Sequence, residues 1–271
     1  IFGTAKTEPV VLGSIMGETQ NASPFRTGSA MIGSTEWMEW VGLKFNFTDY
    51  EKVNDTYLDL LVRIRTGSDT WSNDDGYVWA TPDSPLHLNA TFGCHYSLNP
   101  IYILAIRNYL LQCNRQGKFN DDGTEFTEFL NLTNTQGQTI QYKVDKAMSY
   151  MMNTLSGKTG IMTINDPAKD GTTSGMSSNY WDVHKTFGYM SAYENAYFYA
   201  SLLAYADIYD FKADNYAKNG QSAEAEKARD IAEEYRGYAA VTREKYNTLF
   251  WDEAKGRYIG GINADGERLD F

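Results

Sequence analysis

An aspartate beside a tryptophan is the arrangement in this sequence that best fits acid–base chemistry. Residues 177–182 read Ser-Ser-Asn-Tyr-Trp-Asp and stand between a long irregular stretch and an apolar helix. Contact with an indole disfavours the charged form of a carboxyl group and raises its pKa, so Asp182 would keep a proton near neutral pH. A carboxyl group with that property can act as a general acid. The spacing alone also fits an aspartate that caps a turn.

Further polar and aromatic side chains are candidates for a ligand site near Asp182. For each of them, packing in the core or a role on the surface is the alternative. These candidates are Tyr180, His184, Trp79 and Trp71.

We make separate predictions for three other carboxylates and one tryptophan. Asp166 and Asp170 are candidate auxiliary acids, although Asp-Pro and Asp-Gly pairs commonly form turns. Glu194 would be a charge on an enclosed helix, so we expect it to face the cavity or to pair with a cation. Trp251 is expected to pack in the core.

The composition favours a protein that handles neutral polar ligands. Of 271 residues, 24 are Lys or Arg and 35 are Asp or Glu, which gives a net charge of −11. This balance argues against a general nucleic-acid or anionic-membrane binder, and no apolar run approaches the roughly 18 residues that span a bilayer. Aromatic residues make up 14%, and Tyr and Trp line pockets where one edge is wet. Sugars are ligands of this kind.

No metal or cofactor motif is complete in the sequence, so we predict no cofactor. The three histidines are dispersed, and residues 120–125 depart from the spacing of a calcium-binding EF-hand. Cys94 and Cys113 are either buried free thiols or a disulfide.

Hydrophobic periodicity predicts a mainly helical chain. Residues 1–35 are rich in Gly, Ser and Thr and are expected to form short strands and loops, and residues 36–271 to form one helical domain. Turn-forming residues and apolar periodicity predict loops over 67–89, 120–140 and 160–178, and helices over 36–44, 50–65, 101–113 and 142–155.

The last hundred residues carry the clearest helical pattern. Residues 192–211 are apolar on almost every face, which predicts an enclosed helix. After Gly220, Ser222 is a good N-cap for a second helix with one stripe of small and aromatic residues. A long coiled coil is the competing interpretation. An enclosed helix followed by a one-sided helix is one hairpin of an α/α barrel, so the predicted fold is an incomplete (α/α)6 toroid.

Residues 177–271 resemble the six-hairpin glycosidase superfamily, in particular the trehalases and the glucosidase-I-like hydrolases. Those families have a Glu-Ser-Gly-Trp-Asp or Glu-Ser-Gly-Leu-Asp motif, and residues 177–182 stand at its position with serine in place of glutamate. An inner helix with an asparagine follows, here Asn195, and then an outer helix with repeated alanines. Residues 250–258, Phe-Trp-Asp-Glu-Ala-Lys-Gly-Arg-Tyr, match the turn that comes after it.

The resemblance implies a glycoside hydrolase without a cofactor, acting on an oligosaccharide or glycoside. Asp182 falls on the general acid and Trp181 on a ring beside the sugar, with Asn179 in the same motif. The implied mechanism is inverting, in which a second carboxylate about 6.5–9.5 Å away activates water. In the family that base lies in a later hairpin, so we expect it beyond Phe271 in a longer chain. Secretion or periplasmic export is expected from the substrate class alone.

Two other functions remain open from the sequence. A polysaccharide lyase on the same fold would use Tyr180 as base and His184 as acid. Lyases need Arg or Lys to neutralise a uronate, whereas residues 159–200 contain only Lys169 and Lys185. A carbohydrate-binding helical domain without catalysis is the alternative from a different class.

Overall fold

The structure, a computed structural model, describes residues 58, 61–68, 75–78, 98–115, 117–119, 123–163, 189–263 and 265–270. This part of the chain is mainly helical, which confirms the predicted helical class. Residues 1–35 and the predicted helix at 36–44 lie outside it.

Five α-helices lie wholly within the described residues, and residues 58 and 61–63 are also helical, within the helix predicted over 50–65. Four of the five confirm predicted helices, and the second stands where a polar loop was expected. A π-helical turn at Tyr150–Thr154 extends the third helix, and a 3-10 turn at Gly157–Thr159 follows it. The α-helices are α1 (Leu98–Arg115), α2 (Thr124–Asn131), α3 (Ile140–Ser149), α4 (Ala192–Lys218) and α5 (Ser222–Phe250).

Each of the described strands is two residues long. All of the pairings are antiparallel: β1 with β2, β4 with β5, and a three-stranded sheet in the order β3-β6-β7. Strand β3 leads directly into α4, and β4 follows α5 without a gap. The strands are β1 (Thr66–Gly67), β2 (Tyr77–Val78), β3 (Met190–Ser191), β4 (Trp251–Asp252), β5 (Arg257–Tyr258), β6 (Gly261–Ile262) and β7 (Arg268–Leu269).

Helix α4 is enclosed, and α5 covers one side of it. Consecutive residues such as Ala204, Tyr205 and Ala206 are all buried, which requires neighbours on several faces. Those neighbours are α1, α3 and α5. Helix α5 buries a stripe of small residues that includes Ala228 and Ala232 and leaves its opposite face in water. This confirms the predicted pair of an enclosed helix and a one-sided helix.

Helix α1 runs antiparallel to α3. Asn99 in the first turn of α1 donates from Nδ2 to Ala147 O, in the last turn of α3, at 3.1 Å. Further along α1, the Tyr102 ring lies 5.5 Å from Lys143 Nζ, which belongs to the first half of α3. Increasing residue numbers on one helix therefore meet decreasing numbers on the other.

Helix α4 also runs antiparallel to α3 and is therefore parallel to α1. The Tyr205 hydroxyl, in the middle of α4, donates to Asp145 Oδ1 of α3 at 2.9 Å. Asn195, in the first turn of α4, contacts Met162, which lies beyond the end of α3. The N-terminal ends of α1 and α4 consequently lie at the same end of the fold.

The short helix α2 replaces part of the polar loop predicted over 120–140. Its Phe126, Phe129 and Leu130 are buried and share one face, because they are three and four residues apart. The Phe129 ring stacks on Tyr109 of α1 with centroids 4.9 Å apart. The prediction was wrong because three apolar residues in one short window give little periodic signal.

A buried lysine holds the segment that precedes β1. Lys143 on α3 is fully buried. Its Nζ donates to the backbone oxygens of Leu61, Val62 and Ile64 at 3.0, 2.7 and 2.8 Å. The last carbonyls of a helical stretch have no partner within the helix. An ammonium group has three donors, so one side chain satisfies all three acceptors.

Glutamine and asparagine side chains hold the next residues of the same segment. Gln138 Oε1 accepts from Thr66 N at 3.1 Å, and its Nε2 donates to Thr66 O at 2.8 Å. Asn134 Nδ2 donates to Ile64 O at 3.3 Å. The segment is thereby bound to the helices through its backbone.

Lys143→Met is expected to lower the free energy of unfolding by about 3 kcal/mol, because it removes three hydrogen bonds to backbone carbonyl groups. Leu61 O and Ile64 O then keep one donor each, from Tyr102 and Asn134. Lys146→Met is the matched control, since Lys146 is on the same helix but pairs with Asp75 in a partly exposed ion pair. That control should cost less than about 1 kcal/mol. Denaturant unfolding measures both, and equal losses would show that Lys143 does not hold the segment before β1.

Lys143 should also give stability a pH dependence. Burial lowers its pKa to about 7, from an ordinary value of 10.5. Between these values the unfolded chain keeps a proton that the folded chain has released. The free energy of unfolding should therefore rise with pH, by at most about 1.4 kcal/mol per pH unit. Urea unfolding of the wild type and Lys143→Met over this range tests it, and a pH-independent difference between the two would refute it.

Candidate functional site

Most residues expected to act on a ligand lie outside the described residues, whereas Glu194 lies within them. The structure does describe the chain on both sides of the region that holds Asp182, and the residue before Trp79. The candidates outside the described residues are Asn179, Tyr180, Trp181, Asp182, His184, Trp79, Trp71, Asp166 and Asp170.

Asn195 joins the two chain segments that border residues 164–188. Its buried side chain accepts from Met162 N at 2.7 Å and donates to Met162 O at 3.1 Å. The same amide donates to Ser191 O at 2.9 Å. This pairing satisfies backbone groups that would be costly to bury alone. The chain therefore leaves toward residues 164–188, and returns from them, beside the first turn of α4.

Asn99 makes the equivalent contacts at the start of α1. Its Oδ1 accepts from Val78 N at 2.9 Å, and its Nδ2 donates to Gly76 O at 2.9 Å as well as to α3. Val78 directly precedes Trp79, so this contact fixes where the 79–97 region begins. Sequence reasoning missed Asn99, although an asparagine before Pro100 at the head of an apolar helix was an available signal.

The backbones that lead to Trp79 and to Asp182 thus start from one end of the fold. Asn99 and Asn195 occupy the first turns of two parallel helices, and each binds the backbone of a neighbouring segment. We define the N-terminal end of α1 and α4, with these two asparagines, as the candidate site end.

Glu194 lies in the first turn of α4 and has no exposed surface. Its backbone N–H donates to Ser191 Oγ at 3.3 Å, so Ser191 is the N-cap and Glu194 stands three residues after it. A serine followed three residues later by glutamate is the capping-box spacing. The helix dipole stabilises a carboxylate at this position. The Ser-x-x-Glu spacing in the sequence could have predicted that α4 begins after Ser191.

The electrostatic field at the candidate site end favours negative charge. Helix N-termini carry partial positive charge, equivalent to roughly half an elementary charge each. Helices α1 and α4 run parallel, so their positive ends act together. A carboxylate brought to this end is stabilised in its ionised form.

The carboxylate of Asp145 joins the middle of α3 to the middle of α4. Asp145 Oδ1 accepts from Gln141 Nε2 at 2.7 Å, from the Tyr205 hydroxyl at 2.9 Å and from the Tyr209 hydroxyl at 3.0 Å. Burial and the charge of Asp145 raise the pKa of both tyrosines above the ordinary value, so the hydroxyls remain donors. These tyrosines hold helices together, which is one reason for the high aromatic content.

Trp251 is on the surface, so the expectation that it packs in the core was wrong. Its exposed fraction is 38%, while the preceding Phe250 is fully buried. It lies opposite Tyr258 in the β4–β5 pair. Phe250 ends α5 with its side chain in the core, whereas Trp251 begins β4, where its side chain is at the surface.

Within the described residues, no group of three or more His, Cys, Asp or Glu side chains is placed to hold a metal ion. Cys113 is a buried free thiol, and burial raises its pKa, while Cys94 lies outside the described residues. None of the described helices is long and apolar enough to cross a membrane.

Comparison of the chain with models of protein families, with curated proteins and with solved structures found no match. A functional proposal for this chain therefore rests on its own motifs and on the geometry of the candidate site end.

Asn195→Ala is expected to lower the free energy of unfolding by about 2–3 kcal/mol, because Met162 loses both partners of its buried backbone groups. Amide hydrogen exchange at Met162 should accelerate. Asn153→Ala is the matched control, since the Asn153 amide donates to Ser149 at the surface, and it should cost less than about 0.5 kcal/mol. An unchanged exchange rate at Met162 in Asn195→Ala would show that Asn195 does not hold this segment.

Proposed function

We propose that the protein is a glycoside hydrolase on an α/α toroid, with Asp182 as its general acid. The observation that carries the proposal is the shared direction of α1 and α4. The backbones that lead to Trp79 and to Asp182 both start at the N-terminal end of this pair. The motif at residues 177–182 and its resemblance to six-hairpin glycosidases supply the chemistry.

The helix arrangement supports the toroid. A ring of helical hairpins places enclosed helices side by side in one direction, each with an antiparallel helix packed against it. Helices α1 and α3 fit one such unit, and α4 and α5 fit the next. Arg107 of α1 and Asp207 of α4 link the two enclosed helices, with 3.3 Å between Nε and Oδ2.

The positive potential at the candidate site end would affect a catalytic base and a catalytic acid in opposite ways. A positive potential keeps a carboxylate ionised, which suits the base that activates water in an inverting hydrolase. The same potential opposes a general acid, which must keep its proton. The proposed role of Asp182 therefore depends on contact with an apolar surface, and the indole of Trp181 is the nearest such group in the chain.

The remaining candidate residues fall into two groups, those that position the chain and those that contact the sugar. We assign Asn99 and Asn195 as positioning residues, because they bind loop backbone. Glu194 is buried in the same turn as Asn195. We therefore propose that Glu194 orients neighbouring groups and does not itself contact the substrate. The side chains proposed to touch the sugar are Asn179, Tyr180, Trp181, His184 and Trp79.

Asp182→Asn is expected to lower kcat for glycoside hydrolysis by about 10²- to 10⁴-fold, the usual contribution of a general acid. The substrates to test are trehalose and a panel of disaccharides and aryl glycosides. Asp214→Asn is the matched control, since Asp214 is exposed on α4, and its kcat should match that of the wild type. Proton NMR of the first product anomer tests inversion.

Two results would overturn this proposal. Equal hydrolysis by the wild type and Asp182→Asn would remove Asp182 from catalysis. Sugar binding by both proteins with no turnover by either would favour the non-catalytic carbohydrate-binding domain.

A further inference from the structure

Four aromatic rings lead from the apolar cluster beneath α5 to the protein surface. Phe250 is fully buried, and its ring centroid lies 4.9 Å from that of Tyr246. The Tyr246 ring is 5.3 Å from Tyr258, and the Tyr258 ring is 5.1 Å from Trp251. The last two rings are 45% and 38% exposed. We call Trp251 and Tyr258 together the aromatic surface.

Hydrogen bonds and strand pairing hold both exposed rings in place. Trp251 Nε1 donates to Glu253 Oε2 at 2.6 Å, and the Tyr258 hydroxyl donates to Asn247 Oδ1 at 2.6 Å. The two residues are also direct partners in the β4–β5 ladder. A ligand that stacks on such rings does not have to immobilise them first, which removes part of the entropic cost of binding.

Charges of both signs surround the aromatic surface, and most of them are paired with one another. Three acidic and three basic side chains on the strands and turns beside it form ion pairs or hydrogen bonds. A rim of ionised and amide groups does not suit a lipid chain or an apolar helix, because their burial would remove water from those groups without replacing its hydrogen bonds. The six charged residues are Asp252, Glu253, Asp270, Lys255, Arg257 and Arg268.

We propose that the aromatic surface binds one neutral sugar unit of a glycan. A sugar ring has an apolar C–H face that stacks on an aromatic ring and a rim of hydroxyl groups that need partners. The Asn247 amide and the Glu253 carboxylate stand at the polar edges of the two rings and supply a donor and an acceptor.

The position of the aromatic surface relates it to the candidate site end. Helix α5 runs antiparallel to α4, so its C-terminal residue Phe250 and strand β4 lie near the start of α4. Ala192 of that first turn packs in the same apolar cluster as Phe250. The choice of a glycan over other neutral ligands rests on the proposed function, and a chain bound here would be held beside the proposed catalytic end.

Native electrophoresis of the full chain through gels that contain a soluble neutral polysaccharide tests this inference. The gels contain soluble starch, mixed-linkage β-glucan or galactomannan, with polygalacturonate as the acidic comparison. We expect retardation by at least one neutral polymer. Trp251→Ala and Tyr258→Ala should weaken the apparent affinity at least tenfold. Asn247→Ala should weaken it although both rings are still present, because the amide partner of the sugar and of Tyr258 is lost. Tyr142→Ala is the matched control, because Tyr142 is a similarly exposed tyrosine (37%) on α3.

The outcomes separate this inference from the proposed activity. All gels are run in the Asp182→Asn background, so binding is read without turnover, and melting temperatures identify any variant that fails to fold. Retardation lost in Asn247→Ala and Trp251→Ala but kept in Tyr142→Ala supports the inference even if no hydrolysis is found. No retardation by any neutral polymer, or equal retardation of all the variants, overturns it even if the enzyme hydrolyses small glycosides.

Discussion

Segments that run between enclosed helices carry backbone N–H and C=O groups that cannot reach water, and each of these groups needs a partner inside the protein. Helix α4 is enclosed by α1, α3 and α5, so the segments beside it meet this constraint. Buried side chains supply the partners. Lys143 binds three carbonyl groups before β1, and Asn99 and Asn195 bind the segments at the heads of α1 and α4. The helices are held by apolar packing, whereas the course of the connecting chain depends on these few polar side chains.

The same pairing links stability to the candidate site. Asn195 contributes to folding by satisfying Met162, and it also fixes where the chain departs for the region that holds Asp182. A change at Asn195 is therefore expected to affect both stability and activity, although it touches no substrate. The parallel direction of α1 and α4 adds a positive potential at this end, which favours an ionised base and makes the proposed acid depend on an apolar neighbour.

The aromatic residues serve two separate purposes in the described part of the chain. Tyr205 and Tyr209 are buried and donate to Asp145, so their polar ends join helices. Trp251 and Tyr258 direct their polar ends to neighbouring side chains and leave their rings partly exposed. Composition alone cannot separate these groups, because both contribute equally to the count of aromatic residues.

The sequence by itself determined the long helices and their exposure, since a pattern of 3.6 residues is local and repeats many times within α4 and α5. It also supplied the motif at residues 177–182, on which the proposed chemistry depends. Tertiary structure decided the rest. Helix α2 forms because Phe126 and Phe129 find neighbours, Trp251 is exposed because α5 ends at Phe250, and Lys143 is buried because three distant carbonyl groups need a donor. Each of these outcomes depends on contacts between residues far apart in the chain, which local periodicity does not encode.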